Sequence, residues 1–460
     1  MASTPPPILD GPLVSLDAAI GASAMRKATL HLIPLIALGY GAAYMDRVNI
    51  SFASLQMNRD LHFSATVYGF GAGLFFLSYA ACEIPSNLLL YRFGARRWLA
   101  RIMVTWGILA MAMLFVRTPW QFYTARFFLG VAEAGFFPGV IFYLTQWFPQ
   151  ELRARAISRF YISLPLSFVF MGLIAGALLN LDGHLGLRGW QWLFLVEGIP
   201  PILLGIAFLY LLPDCPQQAK WLTEDERAWI IHHVHNDPSL SGQRSHDLSA
   251  ALLDPRVWQL GLFMLLMLAS SYAYTFVAPD VIQRATHLST SKVGYLIATL
   301  SLLGAAAMLI NGIYSDRIQR RTPHSNHPRY MHIIPWAFLI SAGFFACGLS
   351  TNPINVVTAI GAIIIAYNAM QGPLWSLPGS FFQGRSAAAG IATLNMIGMI
   401  GGFLGPYFVG FAKDLTGDYQ RGLLFMSLPM LLGAAIMFYL RAETRLRSTA
   451  LRTENPVPSS

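Results

Sequence analysis

Apolar residues run along this chain in twelve stretches, each near the roughly 20 residues that a helix needs to cross a bilayer. They fall near 29–53, 66–90, 98–116, 120–146, 157–180 and 189–212. After a polar segment they resume near 257–279, 291–314, 331–349, 354–376, 386–411 and 420–440. Gly, Pro or charged residues punctuate nearly every gap, as between Pro149 and Arg155. The pattern predicts an all-α membrane protein of twelve transmembrane helices in two six-helix bundles. It divides the chain into a cytoplasmic tail (1–28), an N-terminal bundle (29–212), a linker (213–256), a C-terminal bundle (257–441) and a second tail (442–460).

Composition agrees. Of 460 residues, 55% are hydrophobic and 12% charged, where soluble domains carry about a quarter. Soluble enzymes, nucleic-acid binders and disordered chains are thereby excluded. The net charge of +9 needs no nucleic acid, because cytoplasmic loops of membrane proteins collect Lys and Arg. With the N-terminus inside, 21 of the 31 basic residues fall on cytoplasmic loops, seven outside and three within spans. Both termini are then expected in the cytoplasm. Cys82, Cys215 and Cys347 are far apart, so neither a disulfide framework nor a thiolate metal site is indicated. The first 24 residues hold Asp10, Asp17 and a Pro5–Pro7 run without Lys or Arg, and read as a retained tail rather than a signal peptide.

In the linker, Thr223-x-x-Glu226 is a capping box before Arg227, Trp229, Ile230, Ile231 and Val234, predicting a short amphipathic helix. His232, His233 and His235 beside it lack a second ligand pair, so no metal site or other cofactor is expected. An internal repeat says more. The loop after the second stretch reads Asn87-Leu-Leu-Leu-Tyr-Arg92-Phe-Gly94-Ala-Arg96-Arg97, and the one after the eighth reads Gly312-Ile-Tyr-Ser-Asp316-Arg317-Ile-Gln-Arg320-Arg321. Matching loops at matching places in two halves are a mark of parallel-repeat transporters, whose substrate site lies between the halves near the midplane.

Ionisable residues inside a span cost roughly 2.5–3.5 kcal/mol even on lenient scales, and therefore mark function by default. Asp46 and Arg47 lie within the first stretch, and Arg126 and Glu133 within the fourth. Seven residues place Arg126 and Glu133 on nearly one face, about 10 Å apart along the axis. The four charges sum to zero, so two ion pairs that only hold helices together are one reading. The other is functional. If Asp46 and Glu133 take protons, Arg47 and Arg126 lose their partners and become a doubly positive site for a carboxylate. Tyr44, Tyr79, Gln371, Trp375 and Asn395 offer rings and hydrogen-bonding groups for the rest of a substrate. Glu83 and Glu197 are read as structural or gating groups. Asp316, Arg317, Arg320 and Arg321 are read as a charge latch between helices. The eleventh-stretch glycines Gly398, Gly401, Gly402, Gly405 and Gly410 allow close packing or bending.

The second-half loop resembles the Gly-x-x-x-Asp-Arg-x-x-Arg-Arg motif of the major facilitator superfamily. Asp46-Arg47-Val-Asn49, Ile84-Pro85-Ser86-Asn87, Glu133-Ala-Gly-Phe-Phe-Pro138-Gly139, Gly189-Trp-Gln-Trp, Glu197-Gly198 and Ala219-Lys-Trp-Leu222 resemble its anion:cation symporter family. The resemblance covers about 30–440 and implies proton-coupled uptake of an organic carboxylate across the inner membrane. In the galactonate-type members the matching Asp and Glu carry protons and the matching Arg bind substrate. The first-half loop departs from the superfamily pattern, with Tyr91 in place of an acid and Asn87 in place of Gly, which weakens any latch there. The fifth stretch reads Ser163-Leu-Pro-Leu-Ser-Phe168, without the Gly-Pro of antiporters and without Gln or Asn for sugar hydroxyls. This leans toward uptake of a hydroxy acid such as tartrate, or an aromatic acid, by a protein expected to be monomeric. A same-fold facilitator or antiporter stays open, and a membrane enzyme or sensor more remotely, although no catalytic constellation is present.

Overall fold

A computed structural model describes residues 12–235, 255–321, 327–377 and 384–454. Among the described residues, twelve helices are long and apolar enough to span a membrane. Twelve is even, so both termini emerge at one end of the bundle. We call this the terminus-bearing end and the opposite one the far end.

Three features depart from the sequence pattern. The first helix starts at Pro12 and runs to Asp60, so residues 12–28 continue it as an extension. The fourth span (Pro119–Thr145) is two helices, Pro119–Glu133 and Phe136–Thr145, broken at Gly135. There φ is +86°, which a side chain would strain, and an added Cβ would meet the Ser86 hydroxyl. Ser86 Oγ donates to the Ala134 carbonyl at 2.6 Å, satisfying a group freed near the break. The third departure concerns the linker, which is docked. Its helix Glu224–His235 carries the predicted capping box, with Thr223 N–H on Glu226 Oε2 at 2.9 Å and Glu226 N–H on Thr223 Oγ1 at 3.3 Å. Trp221 stacks on His31 at 4.5 Å and on Trp147 at 5.6 Å. His233 is engaged by the Trp229 carbonyl and ring, while the His235 side chain lies outside the described residues.

The halves meet mainly toward the far end. The second span (Ala65–Phe93) packs on the eleventh (Thr393–Thr416), the fifth (Arg155–Leu179) on the eighth (Thr290–Gln319), and the first on the seventh (Pro255–Thr286). The eleventh-span glycines serve two neighbours. Gly401 and Gly405 lie against the Leu265 and Ala269 carbonyls of the seventh span, whereas Gly402 and Gly410 lie against Phe76 and the Ala65 carbonyl of the second. Close packing thus accounts for them. Asp414 then caps the start of the second span, its carboxylate accepting from the Ala65 and Thr66 N–H groups at 3.1 and 2.7 Å. Ser64 Oγ takes the next free N–H, that of Val67, at 3.2 Å. Tyr68 donates to the Phe276 carbonyl at 3.1 Å, and Asn180 Nδ2 donates to Ser291 Oγ at 2.9 Å.

At the terminus-bearing end, Glu226 fastens the linker to the extension. Burial alone would raise its carboxyl, but hydrogen bonds from Lys27 Nζ (2.8 Å), Ser23 Oγ (2.7 Å) and the Thr223 N–H outweigh this and hold it at about 2, against an ordinary 4.5. A depressed carboxyl stabilises the fold above its unfolded value and ceases to do so as pH falls through the folded one. Docking of the linker is therefore expected to hold down to about pH 4.5 and to weaken from there toward pH 2. At neutral pH, Glu226→Gln should speed amide hydrogen exchange in residues 17–30 and 224–235 and leave the bundle cores unchanged.

Candidate functional site

Asp46, Arg47, Arg126 and Glu133 come together as predicted, and none is more than 5% exposed. Adjacent helical positions point about 100° apart, so Asp46 and Arg47 face different partners. Arg47 reaches Glu133. Its Nε donates to Glu133 Oε1 at 2.8 Å, and its Nη2 lies 2.6 Å from the same oxygen. Arg126 instead donates from Nη2 to the Ala72 carbonyl at 3.3 Å and lies 4.9 Å from the centre of the Phe75 ring. Asp46 Oδ1 accepts from Asn49 Nδ2 at 3.3 Å.

Four buried polar positions are left over: Arg126 Nε and Nη1, Asp46 Oδ2 and Glu133 Oε2 make no hydrogen bond. Of the two ion pairs that the sequence allowed, one is closed. Asp46 and Arg126 act on each other through space without a direct bond. An unsatisfied buried donor costs about 1–3 kcal/mol, and more when charged. This arrangement can accept a ligand with oxygens to give.

Glu133 is the last residue of the first segment of the fourth span, immediately before the Gly135 break. The break ends the helix where the carboxylate must turn toward Arg47. The Arg47 guanidinium is boxed by rings, with centroids at 5.1 Å (Tyr44), 4.9 Å (Tyr79) and 5.6 Å (Phe75). Tyr44 and Tyr79 thus join the charged cluster. Asn395 sits elsewhere but bridges the halves, its Nδ2 donating to both Glu83 oxygens at 3.1 Å. Gln371 and Trp375 pair with each other, Trp375 Nε1 donating to Gln371 Oε1 at 2.9 Å at the end of the tenth span (Pro353–Trp375).

Two residues were missed. Tyr272 of the seventh span packs against Phe76 with the rings tilted and their centroids 4.1 Å apart, and brings the second half to Arg47. It stands in Ser270-Ser271-Tyr272-Ala273-Tyr274-Thr275, where so many neighbours carry hydroxyls that nothing in the sequence singles it out. Tyr40 meets Tyr44 edge-on at 5.0 Å. The spacing Tyr40, Tyr44, Arg47 puts all three on one helix face, and that spacing was the available sign. Glu197 is buried with neither oxygen hydrogen-bonded, its polar neighbours being Asn49 and Asp46.

The loop residues are arranged differently. Asp316, Arg317 and Arg321 are exposed and form no ion pair among the described residues; the Arg320 side chain lies outside them. In the first-half loop, which lacks the superfamily's acid, Arg96 finds Asp214 from beyond the sixth span. Its Nε lies 3.3 Å from Oδ2, and its N–H donates to Oδ1 at 3.0 Å.

The family model described as Major Facilitator Superfamily matches residues 36–406. A protein of Agrobacterium vitis named "Putative tartrate transporter" is 42% identical over 435 residues, covering 94% of each chain. The "Quinolone resistance transporter" of Acinetobacter baumannii is 37% identical, covering 92% of this chain and 96% of its own. Among solved structures, a bacterial homologue of the human lysosomal transporter Spinster, in an inward-facing and unoccupied conformation, superposes with a TM-score of 0.74 at 18% identity. It covers 91% of this chain and 98% of its own. The shared fold, the family match and the two long relatives agree that the chain belongs to the Major Facilitator Superfamily, as a multi-pass membrane transporter and not an enzyme.

Proposed function

We propose that the chain is a proton-coupled symporter that brings a small organic carboxylate, a hydroxy acid such as tartrate or an aromatic acid, into the cell. The observation that carries this reading is the buried Arg126, with two guanidinium nitrogens unbonded and Asp46 nearby but not closed on it. A purely structural ion pair would be closed. An Arg fork held open within the bundle suits bidentate capture of a carboxylate.

Coupling follows from the charges. A proton on Glu133 releases Arg47, and a proton on Asp46 removes the counter-charge facing Arg126. The anion then meets two unopposed guanidinia. Each bound species raises the other's affinity by the same factor, as linkage requires. Tyr44 and Tyr79 already face Arg47 and would pack the body of the substrate. Gln371, Trp375 and Asn395 belong to the second half, which would close on it as the halves rock. Asp316, Arg317, Arg320 and Arg321 would form their latch only in the opposite state. With both termini in the cytoplasm, the packed far end is the outer face and the protein faces inward. The working unit is a monomer with protons as its only coupling partner and no further cofactor.

The relative named for quinolone resistance favours one alternative, export by the same fold. Proteoliposomes separate the two. With an inward proton gradient, one acid from a panel of hydroxy, sugar and aromatic carboxylates is expected to accumulate. Transport that ignores the gradient, or that runs against it, would favour a facilitator or exporter. Glu133→Gln is expected to abolish accumulation while sparing exchange; unchanged accumulation would remove Glu133 from the coupling path. Arg126→Lys keeps the charge but loses the fork, and substrate affinity measured by competition should fall at least tenfold. Affinity like that of the wild type would place the carboxylate elsewhere.

A further inference from the structure

A cavity of about 520 Å3 lies at the terminus-bearing end, and none of the buried charges lines it. Three elements wall it: the extension of the first helix, the helix Gln150–Tyr161 that leads into the fifth span, and Trp229 of the linker helix. Gly21 fits the extension against the Trp229 indole, where an added Cβ would collide with the ring.

The lining is of two kinds. Arg26, Arg155 and Arg159 stand exposed at it. Arg159 Nη1 donates to Thr29 Oγ1 at 3.0 Å, and among the described residues no carboxylate forms an ion pair with any of the three. Lys27, one position on, is by contrast taken by Glu226. Beneath the guanidinia the floor is apolar, formed by the buried Met25, Phe148 and Ala156, and Leu30 stands at the rim 65% exposed.

Position decides what such a site would hold. Arg26 is one turn before Leu30, where the apolar part of the first span begins, and Arg155 is one turn before Arg159 at the start of the fifth. The arginines therefore mark the level at which a bilayer changes from headgroup to acyl chain. Three unopposed guanidinia attract a phosphate and can grip it in forked fashion. A free anion would use the guanidinia and leave Leu30 bare. A diacyl lipid uses both, its phosphate on the guanidinia and an acyl chain on the leucine.

We propose that this cavity binds the headgroup of an anionic phospholipid, with its phosphate on Arg26, Arg155 and Arg159 and an acyl chain along Leu30. Occupancy would join the extension, the approach to the fifth span and the linker into one unit at that end of the N-terminal half.

The test uses the full chain, purified in a neutral detergent, with the thermal unfolding midpoint followed during three separate titrations: phosphatidylglycerol, phosphatidylcholine and inorganic phosphate. Phosphatidylglycerol is expected to raise the midpoint by several degrees and phosphatidylcholine to leave it in place. The rise should disappear in the triple variant Arg26→Gln, Arg155→Gln, Arg159→Gln. An equal rise in that variant would put the lipid elsewhere and overturn the proposal. So would an equal rise with inorganic phosphate, which would make the cavity a free-anion site. If the triple variant does not fold, the single variants at these exposed positions replace it. Each should bind fewer phosphatidylglycerol molecules than the wild type by native mass spectrometry, and undiminished binding in all three overturns the proposal.

Discussion

Charge in a bilayer interior has to be answered within the protein, and here the closed ion pair is the contact between Arg47 and Glu133. The two residues lie 86 positions apart on different helices, so the pair fixes the first span against the fourth. It also fixes what remains. With Glu133 engaged by Arg47, Arg126 is left to the Ala72 carbonyl and the Phe75 ring, and Asp46 is left to Asn49. The site's spare hydrogen-bonding capacity is a consequence of which pair is closed.

The same logic explains why the fourth span is broken. A continuous helix would carry residues 133–137 past the cluster at constant pitch. Gly135, with its left-handed backbone, ends the first segment at Glu133 and lets the second start in a new direction. Ser86 and Trp98 complete the arrangement, since Trp98 Nε1 donates to Ser86 Oγ at 3.1 Å while Ser86 caps Ala134. A bend that would otherwise leave a buried carbonyl without a partner is thereby satisfied within the protein.

Much of this was legible in the sequence. The twelve spans follow from apolar run length, and the four buried charges stand out because ionisable residues in spans are costly. The capping box at Thr223 formed as written. What could not be read is of another kind. Tyr272 reaches Arg47 only because the seventh span packs beside the first, and one tyrosine among several hydroxyl-bearing neighbours carries no sign of that. Which of the two possible ion pairs closes depends on distances of a few ångströms between helices, which no linear pattern encodes. The extension 12–28 looked like a tail because its apolar content is diluted, yet it is helical and held by Lys27, Ser23 and Glu226. In the first-half loop, the missing acid pointed to a weak latch, and Arg96 met Asp214 across a gap of 118 residues instead.

The bond between Asp414 and the start of the second span differs from the others that join the halves. It is made to the backbone N–H groups of Ala65 and Thr66. Every residue except proline presents such an N–H. Mutation at 65 or 66 to any residue but proline therefore leaves these two N–H donors in place. The whole burden of the contact falls on position 414, where only a short carboxylate at the right height can receive both protons. One half of the molecule meets this joint with groups that nearly every residue carries, the other with a single side chain.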